Sequence, residues 1–287
     1  MGANLFRVLP YINARTSRVG PFLFCCYYWW MEEYLAFAKQ LAERAGIIML
    51  DHFKLGVEHE TKADATPVTL ADTTINKMVI DAVTSAYPTH SVLGEEESSS
   101  VTTTEYLWVC DPIDGTIPFT LGIPTSLFSL ALVYDGVPVI GVLYDPYSKR
   151  MFEAVKGKGV FLNGEKIRVN TEVPPQGYVT IPGMQYGLTD TAGLVEDAIR
   201  SGMRTFSLCC ITYEAVLVAS GQIVATVFPG KTPWDIAAVK VIVEEAGGSV
   251  TDLSGNEQRY DRPINGAIIS NGKVHNQFVE LAKRHLT

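Results

Sequence analysis

Acidic residues at three separated places have the types and spacing to hold a hard cation. In Trp108-Val-Cys-Asp111-Pro112-Ile113-Asp114-Gly115-Thr116 an apolar strand delivers Asp111, Pro112 stiffens the exit, and Asp114 follows one short turn later. Two carboxylates and the Ile113 carbonyl form the oxygen-rich donor set that hard cations select. Gly115 and Thr116 follow with backbone N–H groups suited to a phosphate, provided they open a helical turn. Taken alone, the segment is equally an ordinary Asp-Gly turn. Leu93-Gly94-Glu95-Glu96-Glu97 places acids at the end of a second strand, where Glu96 and Glu97 read better as solvated loop acids. Pro233-Trp234-Asp235 places another acid at a helix start, where, taken alone, it reads as an N-cap.

The elements that must position these groups follow from periodicity. Apolar residues at helical spacing from Glu32 to Phe53 predict a first helix, and Thr69-Leu-Ala-Asp72 opens a second that Pro88 ends. Between them, 55–67 reads as a polar loop. Short strands at Ser91-Val-Leu and Tyr106–Cys110 lead into the acids, and Asp135-Gly136 joins β-rich runs at 126–134 and 137–144 as a hairpin. The first half is thus two helices on a mainly antiparallel sheet. Pro174-Pro175 marks a boundary between subdomains 31–174 and 175–287. Beyond it, helices near 191–201, 211–220, 234–246 and 273–285 alternate with five strands, which predicts a mixed sheet sandwiched by helices.

The chain has 287 residues, 47% of them apolar, and a net charge of −8, which argues against a basic nucleic-acid-binding face. Its five cysteines, Cys25, Cys26, Cys110, Cys209 and Cys210, show no zinc spacing and fit reduced thiols in a cytoplasmic protein. No membrane partner is expected. Residues 1–30 hold Arg7, Arg15 and Arg18 but no acid, and end in an apolar run too short to span a bilayer. They read as a poorly structured extension ahead of a start at Met31, with a targeting segment as the alternative.

Glu95 in G-E-E, D-P-I-D-G-T at 111–116, and W-D-I-A-A at 234–238 before E-E-A-G-G resemble the signatures of the inositol monophosphatase family, in the family's order and spacing. The similarity runs from about Met31 to the C terminus. It implies an α+β fold, the layered α-β-α-β-α sandwich of sugar phosphatases, with Mg²⁺ as cofactor, a homodimer, and hydrolysis of a small phosphorylated metabolite. Carried over by residue, it implies that Glu95, Asp111 and the Ile113 carbonyl hold one metal, and that Asp111, Asp114 and Asp235 hold a second. Glu95 and Thr116 would orient the attacking water, with Asp72 linked to Thr116. The Gly115 and Thr116 amides would bind phosphate near Asp114 and Asp235, and Lys62 resembles a mobile-loop lysine.

The substrate end departs from the family pattern. Phe228 stands where inositol-specific members carry a Glu, and Cys209-Cys210 replace a Gly-Ser or Gly-Thr turn. Small buried apolar residues, or pocket-lining ones, are the two readings for these cysteines. Glu214 and Lys231 are candidate sugar or imidazole contacts. The resemblance therefore leaves histidinol phosphate, fructose 1,6-bisphosphate and nucleotide 3′-phosphates open as substrates, beside a non-catalytic sugar-phosphate-binding relative.

Overall fold

The computed structural model describes residues 21–62, 66–101, 104–173, 177–182 and 190–286. The Pro174-Pro175 boundary and Arg7, Arg15 and Arg18 lie outside them. The first helix, α1, spans Pro21–His52 and so opens ten residues ahead of Met31, where the extension was expected to end. Proline suits the first helical position, and neither Gly nor Pro follows it before Gly46. The apolar periodicity becomes readable only from Met31, the first buried side chain described.

A two-stranded hairpin, β1 (Glu60–Thr61) with β2 (Pro67–Val68), interrupts the expected loop. Helix α2 (Leu70–Ala86) follows, closed by a capping box between Thr69 and Asp72. Then come β3 (Ser91–Gly94), β4 (Tyr106–Asp114), the short α3 (Thr116–Leu121), β5 (Leu127–Tyr134) and β6 (Val137–Asp145). With β7 (Arg150–Val155), β8 (Gly159–Leu162) and β9 (Glu165–Lys166) they form a seven-stranded sheet in sequence order, antiparallel except for the β3–β4 pair.

The second half contributes β10 (Tyr178–Thr180), α4 (Thr191–Arg200), β11 (Arg204–Phe206), α5 (Ile211–Ala219) and β12 (Ala225–Phe228). It continues with α6 (Ala237–Glu245), β13 (Ser249–Thr251), β14 (Ala267–Ser270) and α7 (His275–His285). The five-stranded sheet runs β11-β10-β12-β14-β13 and is mixed, as the alternation of elements predicts.

Three apolar cores hold five layers together in the expected α-β-α-β-α sandwich, the core around α5 and α6 reaching both sheets. Helices α1 and α2 cover one face of the large sheet, α5 and α6 lie between the sheets, and α4 and α7 close the far side. Strand β5 shows why the middle layer is required. All eight of its residues are buried, with Phe128, Leu130 and Leu132 facing α1 and α2 while Leu127, Ala131 and Val133 face α5 and α6. Each such Leu or Phe contributes about 1.5–3 kcal/mol when fully buried, so a sheet with two apolar faces must be covered on both. Helix α6 lies directly on β6 at Gly141, where a Cβ would stand 2.5 Å from the Ala238 carbonyl oxygen. That close approach brings the turn before α6, and Asp235 in it, against the large sheet.

Candidate active site

Strand pairing sets the first two acids side by side. Gly94 of β3 pairs in parallel with Cys110 of β4, so Glu95 and Asp111 leave adjacent strand ends, and the Glu95 N–H donates to the Cys110 carbonyl at 3.1 Å. Asp111 and Asp114 are three residues apart and would point to opposite faces of a regular strand. A bulge removes that conflict: Asp111 pairs with Ser129 and Asp114 with Leu127, so β4 spends three steps where β5 spends two. Asp111 Oδ1 then accepts the Ile113 N–H at 3.0 Å, which fixes the carboxylate inside the bulge.

The third acid arrives from the other half of the chain. Asp235 ends a 3₁₀ turn, Pro233–Asp235, where the Thr232 hydroxyl donates to its carboxylate. The Ser129 hydroxyl donates to the Trp234 carbonyl at 3.4 Å, tying that turn to β5. Asp111, Asp114 and Asp235 each present a carboxylate oxygen within 4.8 Å of the others. Such proximity is unfavourable between bare carboxylates. Burial, followed by Glu95 and Asp114, pushes Asp111 well above the usual carboxylate range, and burial followed by Asp114 does the same for Asp235. Burial raises Asp114 as well, opposed by hydrogen bonds from Thr212. A hard cation among three oxygen donors would offset the repulsion and hold all three ionised, so the donor set fits Mg²⁺.

Asp114 is also the link between the halves. Its Oδ2 accepts the Thr212 N–H at 2.6 Å and the Cys210 thiol at 3.2 Å, at the N-terminal end of α5. Gly115 has φ 84° and caps α3, and a Cβ there would meet Cys210 Cβ at 2.9 Å. Cys210 is therefore buried against the acid, whereas Cys209 is exposed with φ 55°. Sequence reasoning missed Thr212 and Cys210 as partners of Asp114; the signal was their place at the start of a predicted helix, where free N–H groups attract a carboxylate.

The remaining expected residues are placed less directly. Glu95 is outside the three-carboxylate group; its Oε1 accepts the Lys62 ammonium at 2.8 Å, and Glu96 accepts the same group at 2.6 Å. Glu96 is thus an ion-pair partner rather than a solvated loop acid. Thr116 donates to the Ile113 carbonyl at 3.1 Å, so that carbonyl, expected as a metal ligand, already accepts one bond. Asp72 does not show the expected link to Thr116. Its Oδ2 accepts from the Thr69 N–H at 2.7 Å within the capping box, because helix closure claims that oxygen, and Oδ1 is buried without a partner. Burial, opposed by the Thr69 bonds, raises the Asp72 pKa to about 7. Glu214 and Phe228 line a cleft beside Asp114 and Asp235, and Lys231 is not among the residues lining it.

Comparison with known proteins places the sequence and the fold. The sequence model of the inositol monophosphatase family matches residues 30–287. Inositol monophosphatase 1 of Solanum lycopersicum is 31% identical over 87% of this chain and 94% of its own. A histidinol-phosphatase of Chlorobaculum parvum is 33% identical over 79% of this chain and 88% of its own. Among solved structures, the Thermotoga maritima IMPase superposes with a TM-score of 0.80 at 30% identity, covering 88% of this chain and 97% of that one. The fold and the relatives that share the sequence make this chain a phosphoric monoester hydrolase. The chain belongs to the inositol monophosphatase family.

Proposed function

We propose that this phosphatase uses Mg²⁺ to hydrolyse the monoester of a small phosphorylated metabolite, in the cytoplasm and as a homodimer. The observation that carries the metal assignment is the convergence of Asp111, Asp114 and Asp235 within 4.8 Å from both halves of the chain. Those three, with Glu95 and the Ile113 carbonyl, would hold the cation. When bound, Mg²⁺ supplies a lowered pKa to an attacking water and neutralises charge on the leaving oxygen.

The protein's own groups do the positioning. The Gly115 and Thr116 amides hold phosphate oxygens at the start of α3, and Glu95 with the Thr116 hydroxyl orients the water. Asp72 Oδ1, buried without a partner, would become the acceptor for the Thr116 hydroxyl once the Ile113 carbonyl, to which that hydroxyl now donates, is taken up by a bound cation. The water oxygen bonds to phosphorus, the ester P–O bond breaks in line with it, and the departing alkoxide takes up the proton that the attacking water gives up. No phosphoenzyme is needed. Lys62 neutralises Glu95 and Glu96 at the rim of the site.

The test is phosphate release from inositol, histidinol, fructose bis- and nucleotide phosphates, with and without Mg²⁺. Metal-dependent release that is absent from an Asp114→Asn variant is expected. Equal silence of wild type and variant on every ester would instead favour a sugar-phosphate-binding role.

A further inference from the structure

The turn between β6 and β7 reaches both sides of Asp114, and one buried carboxylate organises it. Asp145 ends β6, is fully buried, and pairs across the hairpin with Arg150. Its Oδ1 accepts the Tyr147 N–H at 2.9 Å and the Ser148 N–H at 3.1 Å, while its Oδ2 accepts Arg150 Nε at 3.0 Å and Nη2 at 2.8 Å. Four donors on two oxygens fix the turn and the guanidinium together. One arm of the turn meets the Gly115 side: Tyr147 Oη lies 3.2 Å from Ser126 Oγ, and a Cβ on Gly115 would stand 3.4 Å from Ser126 Cα. The other arm meets the Thr212 side. Arg150 Nη2 donates to the Tyr213 hydroxyl, and its Cζ lies 5.0 Å from the Tyr213 ring centroid. Tyr213 directly follows Thr212, whose N–H donates to Asp114 Oδ2 at 2.6 Å. The N-cap residue of α5, Cys210, makes no capping bond of its own, so Asp114 of β4 takes that place.

Resting on the metal assignment above, we propose that Arg150 and Tyr213 are positioning residues for the cation site: they pin the first turn of α5 to the large sheet and so keep Asp114 aimed at the metal. The coupling is tight because Thr212 and Tyr213 share one helical turn. A shift that releases the Tyr213 hydroxyl moves the Thr212 N–H by a similar amount, and an N–H···O bond weakens beyond about 3.2 Å. Asp114 without that donor is free to turn away from Asp111 and Asp235, whose charges repel it. A buried ion pair adds little net stability over apolar packing of the same volume. A guanidinium held at two points instead adds direction, which is what a carboxylate crowded by two others requires.

The experiment follows the melting temperature of the full chain against Mg²⁺ concentration, which reads the dissociation constant without turnover, for the wild type, Tyr213→Phe and Arg150→Lys. Tyr213→Phe keeps the ring and removes only the hydroxyl. It should raise the Mg²⁺ dissociation constant by about threefold to tenfold, the scale of one hydrogen bond to a charged group, while saturating Mg²⁺ restores kcat. Arg150→Lys keeps the charge without the fork and should weaken Mg²⁺ binding at least as much. A purely structural role would lower the melting temperature in EDTA and leave the Mg²⁺ constant alone. That result, or a constant unchanged in both variants, overturns the inference and leaves the metal assignment standing. A wild type whose melting temperature does not respond to Mg²⁺ overturns the metal assignment itself and this inference with it.

Discussion

The carboxylate cluster and the cleft beside it share a wall at Asp114, yet they are built in opposite ways. The cluster is made by backbone devices, a bulge between Asp111 and Asp114 and a 3₁₀ turn that delivers Asp235, with the parallel pairing of β3 and β4 setting Glu95 beside it. The cleft is made by side chains from separated segments, Pro182, Glu214 and Phe228 among them, with no local motif joining them. Chemistry common to a family can be fixed by short rigid motifs, whereas the leaving group is chosen by residues free to vary one at a time.

The comparison breaks first at Asp111. Asp111→Asn should lower kcat on the order of 10²–10³-fold, the scale of losing one preorganised charge-stabilising group. The same change removes one of three crowded charges while leaving an oxygen to accept the Ile113 N–H. In EDTA the variant should therefore melt above the wild type, with Mg²⁺ narrowing or reversing the difference. Retention of most activity would remove Asp111 from the metal set, and a lower melting temperature in EDTA would show that the cluster is not strained by repulsion.

At the cleft the effect should be one of preference. Phe228→Glu gives the wall two acceptors and should raise the kcat/KM ratio of inositol 1-phosphate to 3-phenylpropyl phosphate by about tenfold, the size expected when a site gains a partner for substrate hydroxyls. An unchanged ratio would mean that the leaving group does not reach position 228. Where the two regions touch, Gly115→Ala combines a φ of 84° with a Cβ only 2.9 Å from Cys210 Cβ. A non-glycine residue in the left-handed region costs about 1–2 kcal/mol before any clash is counted. A loss of at least that size in chemical denaturation, together with reduced turnover, is expected; a stability equal to wild type would mean that the turn relaxes freely.

Legibility in the sequence followed the same division. Asp111, Asp114 and Asp235, which the fold brings within 4.8 Å of one another, were visible because each lies in a short motif at the end of a predicted strand or the start of a helix, and the alternation of elements forecast both sheets. The β4 bulge was not visible, since pairing register depends on β5, which lies beyond the motif. Nor was the reach of α1 back to Pro21, because the residues before Met31 lack apolar periodicity. Asp72 was found by resemblance, but its capping role lay in plain view as T-x-x-D at 69–72. Glu214 and its two hydrogen bonds required the tertiary structure, because Thr226 comes from a strand on the other side of a turn.

Cys209 offers the smallest and cleanest test of how the cleft was assembled. It is a non-glycine residue at φ 55°, exposed, immediately before the cysteine that donates to Asp114. Of its three counterparts with positive φ among the described non-glycine residues, Asp135 and Asn163 are the kinds that tolerate such a backbone more readily, while Lys149, like Cys209, is not. The side chain at 209 therefore stores strain of about 1–2 kcal/mol that a glycine would release. Glycine also adds freedom to the unfolded chain, which takes back about 0.4–1 kcal/mol. Cys209→Gly should thus stabilise the protein by about 0.5–1 kcal/mol and raise its melting temperature by about 1–3 °C in calorimetry. A lower melting temperature would show that the Cys209 side chain earns its place through contacts at the cleft mouth, which would move the boundary between fixed motif and variable wall one residue further into α5's approach.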